Sequence, residues 1–249
     1  MTIYADLVDA FTQGDGSLTT SPTGEVWICS SSGSGSPAII SHRLDKSDPA
    51  GNGYSWTDLG LPPAKIGGHF SLPANGIGVA LLCAAVPHFD TIGVPLVHVF
   101  ISNAGWTLQV ASNATAWPAT LTTIASGSMA LAQDGTVYPL FLAFSGNDLT
   151  ITLPDGTDHV YTDTRFASYP GRWVCWENVV SGGVAGRWEN IASWSNCPTD
   201  PNAYPAGWLT TDNRVVYATG AYLTAAGQAY LGTRLAFAIR PPSTGLGDF

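Results

Sequence analysis

The sequence predicts an all-β protein: two antiparallel sheets packed as a jelly-roll sandwich, with a β-rich C-terminal extension. Three observations predict it. Residues 134–178 break into short apolar or alternating runs, separated by Ser145-Gly146-Asn147-Asp148 and Pro154-Asp155-Gly156. Gly and Asn in such clusters accept positive φ, which is turn chemistry. Leu149–Leu153 alternates Leu, Thr, Ile, Thr, Leu, the period of a strand with one buried and one wet face. Charged residues make up only 11% of the chain against 45% hydrophobic, and Glu and Lys are scarce. The residues that favour helices on wet faces are therefore missing.

Taken in order, Gly24–Ser30 reads as a strand and Ser31–Pro37, SSGSGSP, as a flexible low-complexity loop. Ala38–Leu44 is a short strand, and Asp45–Tyr54 a long turn-rich loop. His69–Leu72 and Ile77–Val86 read as a strand pair around Pro73-Ala74-Asn75-Gly76. IGVALLCAAV is apolar enough to be central and covered on both faces. Leu96–Asn103 and Trp106–Ala111 are strands, and 113–128 is a loop or weak strand. Thr136–Phe144, Leu149–Leu153, His159–Thr162 and Arg172–Glu177 follow, with a connecting loop over 164–171. Gly171-Arg172-Trp173 and Trp176-Glu177-Asn178 recur as Gly186-Arg187-Trp188-Glu189-Asn190. A hairpin centred on Gly182 would pair Trp176 with Trp188 and Glu177 with Arg187, both favourable cross-strand pairs. Residues 195–212 read as irregular. Arg214–Thr219 and Leu235–Ile239 are strand-like, and the repeated Ala-Tyr-Leu at 221 and 229 suggests a small hairpin. These patterns divide the chain into a jelly roll over 1–194 and an extension over 195–249, either an added sheet edge or a docking arm.

Composition excludes several function classes. Nine Lys and Arg face eighteen Asp and Glu, a net charge of −9. Such a chain carries no electrostatic footprint for nucleic acid and no basic patch for anionic lipid. No run of 18 apolar residues suggests membrane insertion, and the first residues lack the basic and apolar regions of a secretory signal. Cys29, Cys83, Cys175 and Cys197 contain no Cys-x-x-Cys, and reduced thiols are expected of them.

Two stretches carry a family resemblance. Asp134, Gly135, Leu142, Gly146, Leu149, Thr150, Ile151, Pro154, Asp155, Gly156, Asp163, Arg165, Gly171, Trp176 and Glu177 form one. Asp9, Phe11, Asp15, Gly16, Leu18, Gly24 and Trp27 form the other. Both resemble the concanavalin A-like (laminin-G-like) jelly roll of minor tail proteins of actinobacterial tailed phages. Where those domains carry Arg in the opening motif, this chain has Gln13. The resemblance makes 7–11 an opening strand, although Ile3, Leu7 and Phe11 also have helical spacing. It implies a virion protein assembled in the host cytoplasm and binding a host-surface glycan, or alternatively a decoration protein that mainly contacts other virion subunits. Its partners would be other tail subunits and further copies of itself.

Few residues suggest chemistry. No Gly-x-Ser-x-Gly elbow, phosphate loop or dinucleotide fingerprint occurs. His42, His69, His88, His98 and His159 are isolated and read as hydrogen-bonded structural residues. A glycan-cleaving enzyme needs two carboxylates across a sugar. Glu25, Glu177 and Glu189 are the only glutamates, so Glu177 and Glu189 on the supposed hairpin are the candidate pair. The Glu-x-Asp-x-x-Glu pattern of glucanase jelly rolls is absent, and non-covalent binding is the first reading. No cofactor is expected. Ca2+ is the alternative, at Asp155, Asp158 and Asp163 or at Asp45 and Asp48, although turn formation accounts for these aspartates. The candidate binding residues are Trp56, Trp106, Trp117, Trp194 and Trp208, each in or beside a Gly, Pro or Ser loop where a ring can stack on a sugar face.

Overall fold

The computed structural model describes residues 7–46, 48, 50–59, 62–84, 96–111, 121–167, 171–180, 184–195, 208–211 and 214–217. Its strands run in chain order. The first third holds β1 (Leu7–Asp9), β2 (Gly16–Ser17), β3 (Trp27–Ser31), β4 (Ala38–Ile39), β5 (Leu44–Asp45), β6 (Gly53–Asp58), β7 (Pro63–Ser71) and β8 (Gly78–Ala84). Next come β9 (Leu96–Ser102), β10 (Gly105–Ala111), β11 (Thr122–Ser128), β12 (Val137–Ser145), β13 (Asp148–Thr152) and β14 (Asp158–Thr162). The last are β15 (Trp173–Val179), β16 (Arg187–Ser195), β17 (Trp208–Thr211) and β18 (Arg214–Tyr217). One antiparallel sheet runs β14-β13-β12-β7-β16-β5-β4-β2, with β1 also on β16; the second runs β11-β10-β9-β8-β15-β6-β3. This is the expected two-sheet jelly roll. β17 and β18 pair as a separate hairpin, so the stretch read as irregular contains a strand.

The main core lies between the sheets. Trp27 and Trp176 meet edge to face at 5.6 Å, and Phe70 lies 5.9 Å from Trp188. β8 is buried at all seven positions, as its apolar run requires. Its second face belongs to another apolar layer, on the outer side of the seven-stranded sheet. Tyr54, Trp56, Leu82, Leu96 and Cys175 form that layer.

The pairing of β7 with β8 does not form. Asn75 takes φ 63° and Gly76 N–H donates to Pro73 O, but the turn hands the chain from one sheet to the other. β7 pairs with β12 and β16, while β8 pairs with β9 and β15. The predicted strand 38–44 is split into β4 and β5 by Ser41 and His42 at φ 52° and 59°.

The Gly182-centred hairpin is also corrected. Only Val180 and Ala185 bridge; then β15 and β16 enter opposite sheets. Trp176 and Trp188 both point into the core, and Trp188 Nε1 donates to Glu177 O. The energies explain the choice. A cross-strand pair contributes about 0.2–1 kcal/mol. Burying a Trp removes about 150–250 Å² from water, at about 25 cal/mol per Å². The repeated Trp-Glu-Asn therefore supplies one core Trp to each sheet.

The low-complexity loop is pinned. Lys46, only 3% exposed, sends its ammonium to Ser34 O at 2.8 Å, Asp48 O at 2.7 Å and Ala50 O at 2.9 Å. Ser34 Oγ donates to Asp48, and Gly33 lies so close to Ala50 O that no Cβ fits. Backbone carbonyls need donors, and one tethered ammonium supplies three. Cys29, Cys83 and Cys175 are unpaired thiols, as expected; burial pushes Cys29 up to about 11. Cys197 lies outside the described residues.

Candidate functional site

A cleft of about 430 Å³ opens where the β10–β11 edge of one sheet faces the β13–β14 edge of the other. Trp106, Tyr138, His159 and Asp155 supply its aromatic and polar lining, with Met129 and Leu131 on a wall formed by the sheet-to-sheet crossover. Trp106 lies 5.9 Å from Tyr161 and 6.3 Å from His159. It can sit there because Gly127 leaves room: a Cβ at 127 would lie 2.5 Å from Trp106 Nε1. Alternation along β14 sends His159 and Tyr161 to one side and exposes Val160 on the other. Tyr138 Oη accepts from Ala132 N, which leaves its own proton to donate.

Asp155 is the one carboxylate of the lining. Its Oδ1 accepts from the N–H and hydroxyl of Thr157, and its second oxygen makes no hydrogen bond among the described residues. These Thr157 donors hold the carboxyl below the usual carboxylate range. It is thus a fixed anion with one open acceptor, beside a ring that donates or accepts and a phenolic O–H. Such a set suits a polyhydroxylated ligand with apolar C–H faces.

The five candidate Trp fare differently. Trp106 lines the cleft but is a strand residue of β10, only 7% exposed and packed into the main core. Trp194 is on the outer face of β16, half-buried, 6.1 Å from Phe141 and with Lys65 Nζ 5.4 Å above its ring. It shares no surface with Trp106. Trp56 is a correction: it is not a loop residue but the middle of β6, fully buried against Leu82 and Cys175. Glycine and Asn at 51–53 disguise the strand, and Tyr54, Trp56 and Thr57 are strand-forming residues. Trp117 lies outside the described residues, and Trp208 begins β17. Tyr138 and His159 are not among the sequence's ligand candidates, and Asp155 is there only as a candidate for Ca2+. No local signal joins them to Trp106, because the sheet edges meet only in the folded sandwich.

The candidate catalytic pair is not assembled. Glu177 stands on the outer side of the seven-stranded sheet, where Asn52 Nδ2 donates to Oε1 at 2.7 Å and His98 Nε2 lies 3.6 Å from Oε2. Burial, followed by the Glu177 charge, pushes the Tyr54 phenol up. Glu189 sits at a bulge in β16, on the outer side of the other sheet, bound by Arg43 Nε at 2.7 Å and Ser71 Oγ. A sandwich about 10 Å thick lies between the two, so they cannot flank one sugar. Three histidines are hydrogen-bonded as expected, His69 to Asn190, His98 to Gln109 and His159 to Thr157, whereas His42 is exposed in the turn between β4 and β5 without such a bond among the described residues, and His88 lies outside them.

The turn aspartates are used locally. Asp158 accepts from Thr152, Asp45 from Lys46 N, and Asp48 from Ala50 N. Asp163 takes Arg165 Nε and Nη2 at 2.8 and 2.6 Å, which lowers its carboxyl to about 2. A depressed folded value stabilises above the ordinary value of 3.8, and that contribution is lost as pH falls toward about 2. Urea unfolding of wild type and Asp163→Asn should therefore differ at pH 5 and converge by pH 2. A constant difference across that range would refute the assignment.

No protein-family model matches the chain, and no curated protein matches it. Solved structures do. The chain is similar to the VIP36 exoplasmic/lumenal domain in a Ca2+/Man-bound form, at 13% identity and TM-score 0.53, covering 69% of this chain and 83% of that one. It is similar to the laminarinase from Rhodothermus marinus, at 9% identity and TM-score 0.52, covering 78% and 99%. It is also similar to the Bacillus licheniformis β-glucanase, at 10% identity and TM-score 0.51, covering 78% and 100%. At these identities the likeness is one of architecture. The chain has the concanavalin A-like jelly-roll fold.

Proposed function

We propose that this protein is a lectin-like structural component of a phage virion, a minor tail or tail-tip protein that attaches to a host-surface glycan through the Trp106 cleft. The observation that carries the binding reading is the cleft itself. It joins Trp106 and Tyr138 to His159 and to a carboxylate with an open acceptor oxygen. The lining contains a single carboxylate, whereas cleavage by the usual route uses two. The virion reading rests on the tail-protein-like motifs at 9–27 and 134–177. Its partners are then other tail subunits and further copies of itself, and multiple copies turn shallow contacts into avidity.

Purified protein is incubated with insoluble cell envelopes from candidate hosts, and the supernatant is assayed for new reducing ends. Wild type should pellet without releasing sugar. Asp155→Ala and His159→Ala change partly exposed groups and should weaken binding about tenfold each, about 1.4 kcal/mol. Trp194→Ala should bind as wild type does. Undiminished pelleting of both cleft variants would move the site elsewhere. Sugar release would replace the binding reading with an enzymatic one.

A further inference from the structure

The Trp106 cleft has a charge sign. Asp155 is its one carboxylate, and no Lys or Arg stands in the lining. Asp155 Oδ1 accepts from Thr157 N at 2.9 Å and from Thr157 Oγ1 at 2.7 Å. These bonds fix the carboxylate and leave Oδ2 without a partner among the described residues. The same hydroxyl sets the histidine. Thr157 Oγ1 has one proton and gives it to Asp155, so toward His159 Nε2, 3.0 Å away, it accepts. Nε2 therefore holds the ring proton, and Nδ1 of the neutral imidazole is an acceptor with no hydrogen bond among the described residues. The other side-chain donors of the lining are uncharged: the Tyr138 and Ser128 hydroxyls and the Trp106 indole N–H. The backbone wall adds none at Met129 and Leu131, whose N–H groups donate to Ala104 O and Asn103 O.

Cations of the chain that could neutralise Asp155 are engaged elsewhere. The salt-bridging arginines hold Glu189, Asp163, Asp58 and Asp45. Lys46 serves three carbonyls, and Lys65 lies over the Phe141 and Trp194 rings, outside the lining. We infer that the cleft selects sugars with a primary ammonium group, unacetylated amino sugars rather than neutral or acidic ones, and that Asp155 sets this specificity. The inference rests on the reading of the cleft as the glycan site. An ammonium brings a positive charge and three N–H donors to a lining whose open acceptors are a carboxylate oxygen and an imidazole nitrogen. Thr157 links these two acceptors, so both belong to one stretch of the lining. The hydroxyls of the sugar are left to the neutral donors. An acidic sugar is repelled by Asp155 and by the net charge of −9. A quaternary ammonium has the charge but no N–H, so it gains the attraction without the hydrogen bonds.

The test uses protease-digested insoluble envelopes of candidate hosts, half of them treated with acetic anhydride, which turns amines into neutral amides. Pelleting of the full chain is measured on both halves. Wild type should bind the acetylated half about tenfold more weakly, the low end for a hydrogen bond to a charged group. Asp155→Asn keeps the Oδ1 acceptor and the side-chain size. Acetylation should weaken its binding by no more than about twofold, because the group that senses the ammonium is gone. Glucosamine should displace wild type from untreated envelopes at about a tenth of the concentration needed with N-acetylglucosamine or with choline. Equal binding of wild type to both halves overturns the inference and leaves the glycan reading standing. So does an equal effect of acetylation on Asp155→Asn and wild type, since the overall charge of the chain then accounts for the loss. Choline as effective as glucosamine overturns it too, because charge alone then suffices. Wild type that pellets with neither half refutes the glycan reading itself, and the inference with it.

Discussion

Trp176→Ala is expected to lower the unfolding free energy by about 3–5 kcal/mol, the range for Trp truncations in a packed core. Trp176 is fully buried, packs edge to face on Trp27, and donates its indole N–H to Gly67 O at 3.2 Å. It thus reaches from one sheet to the backbone of the other. The substitution removes core volume and orphans a carbonyl at the same time. Domains of this kind hold about 5–15 kcal/mol in total, so the loss is a large fraction of stability. The urea midpoint should fall with little change in slope, and Tm should drop by roughly 10 °C. Trp176→Phe keeps most of the volume but loses the donor and should cost about 1–3 kcal/mol, which separates packing from hydrogen bonding. A loss below about 1 kcal/mol for the alanine variant would mean that the core does not depend on this bridge.

The second large effect is expected at Lys46. Lys46→Met keeps the apolar stem and deletes an ammonium that serves Ser34, Asp48 and Ala50. Hydrogen bonds to a charged group contribute about 1.5–3 kcal/mol each and are not additive, so a loss of about 3 kcal/mol is expected. Lys46→Arg should not restore it, because a planar fork does not match three carbonyls around a point charge. Limited proteolysis gives a local readout: cleavage within 31–37 should appear in the variant before global unfolding. The effect should spread to Asn52, which bonds both Glu177 and the N–H of Val180. Wild-type resistance to cleavage in Lys46→Met would show that the loops hold without the ammonium.

Local patterns carried much of the fold. Alternation at 149–153, the apolar run at 77–86, and the Gly-Asn and Asp-Gly turns each reflect a short-range cause: which face is wet, and which residue accepts positive φ. Strands β8, β12, β13 and β15 follow from these alone, and their number without helical periodicity fixes a two-layer β class. Trp56 shows the limit, because its strand is flanked by turn residues on one side and has both faces buried, so no alternation marks it.

The sequence by itself determined many of the strands and that they pack as two sheets, because these follow from interactions within a few residues; β6 and β17 escaped it. Only the tertiary structure decided which sheet each strand joins. Residues 176–178 and 188–190 spell the same Trp-Glu-Asn, yet they enter opposite sheets because each inner face gains more from burying a Trp than a hairpin gains from pairing them. The same long-range choice parts Glu177 from Glu189 and brings His159 to Trp106. Such contacts depend on which edges meet when the sandwich closes. That is settled by the total area buried, which no local window contains.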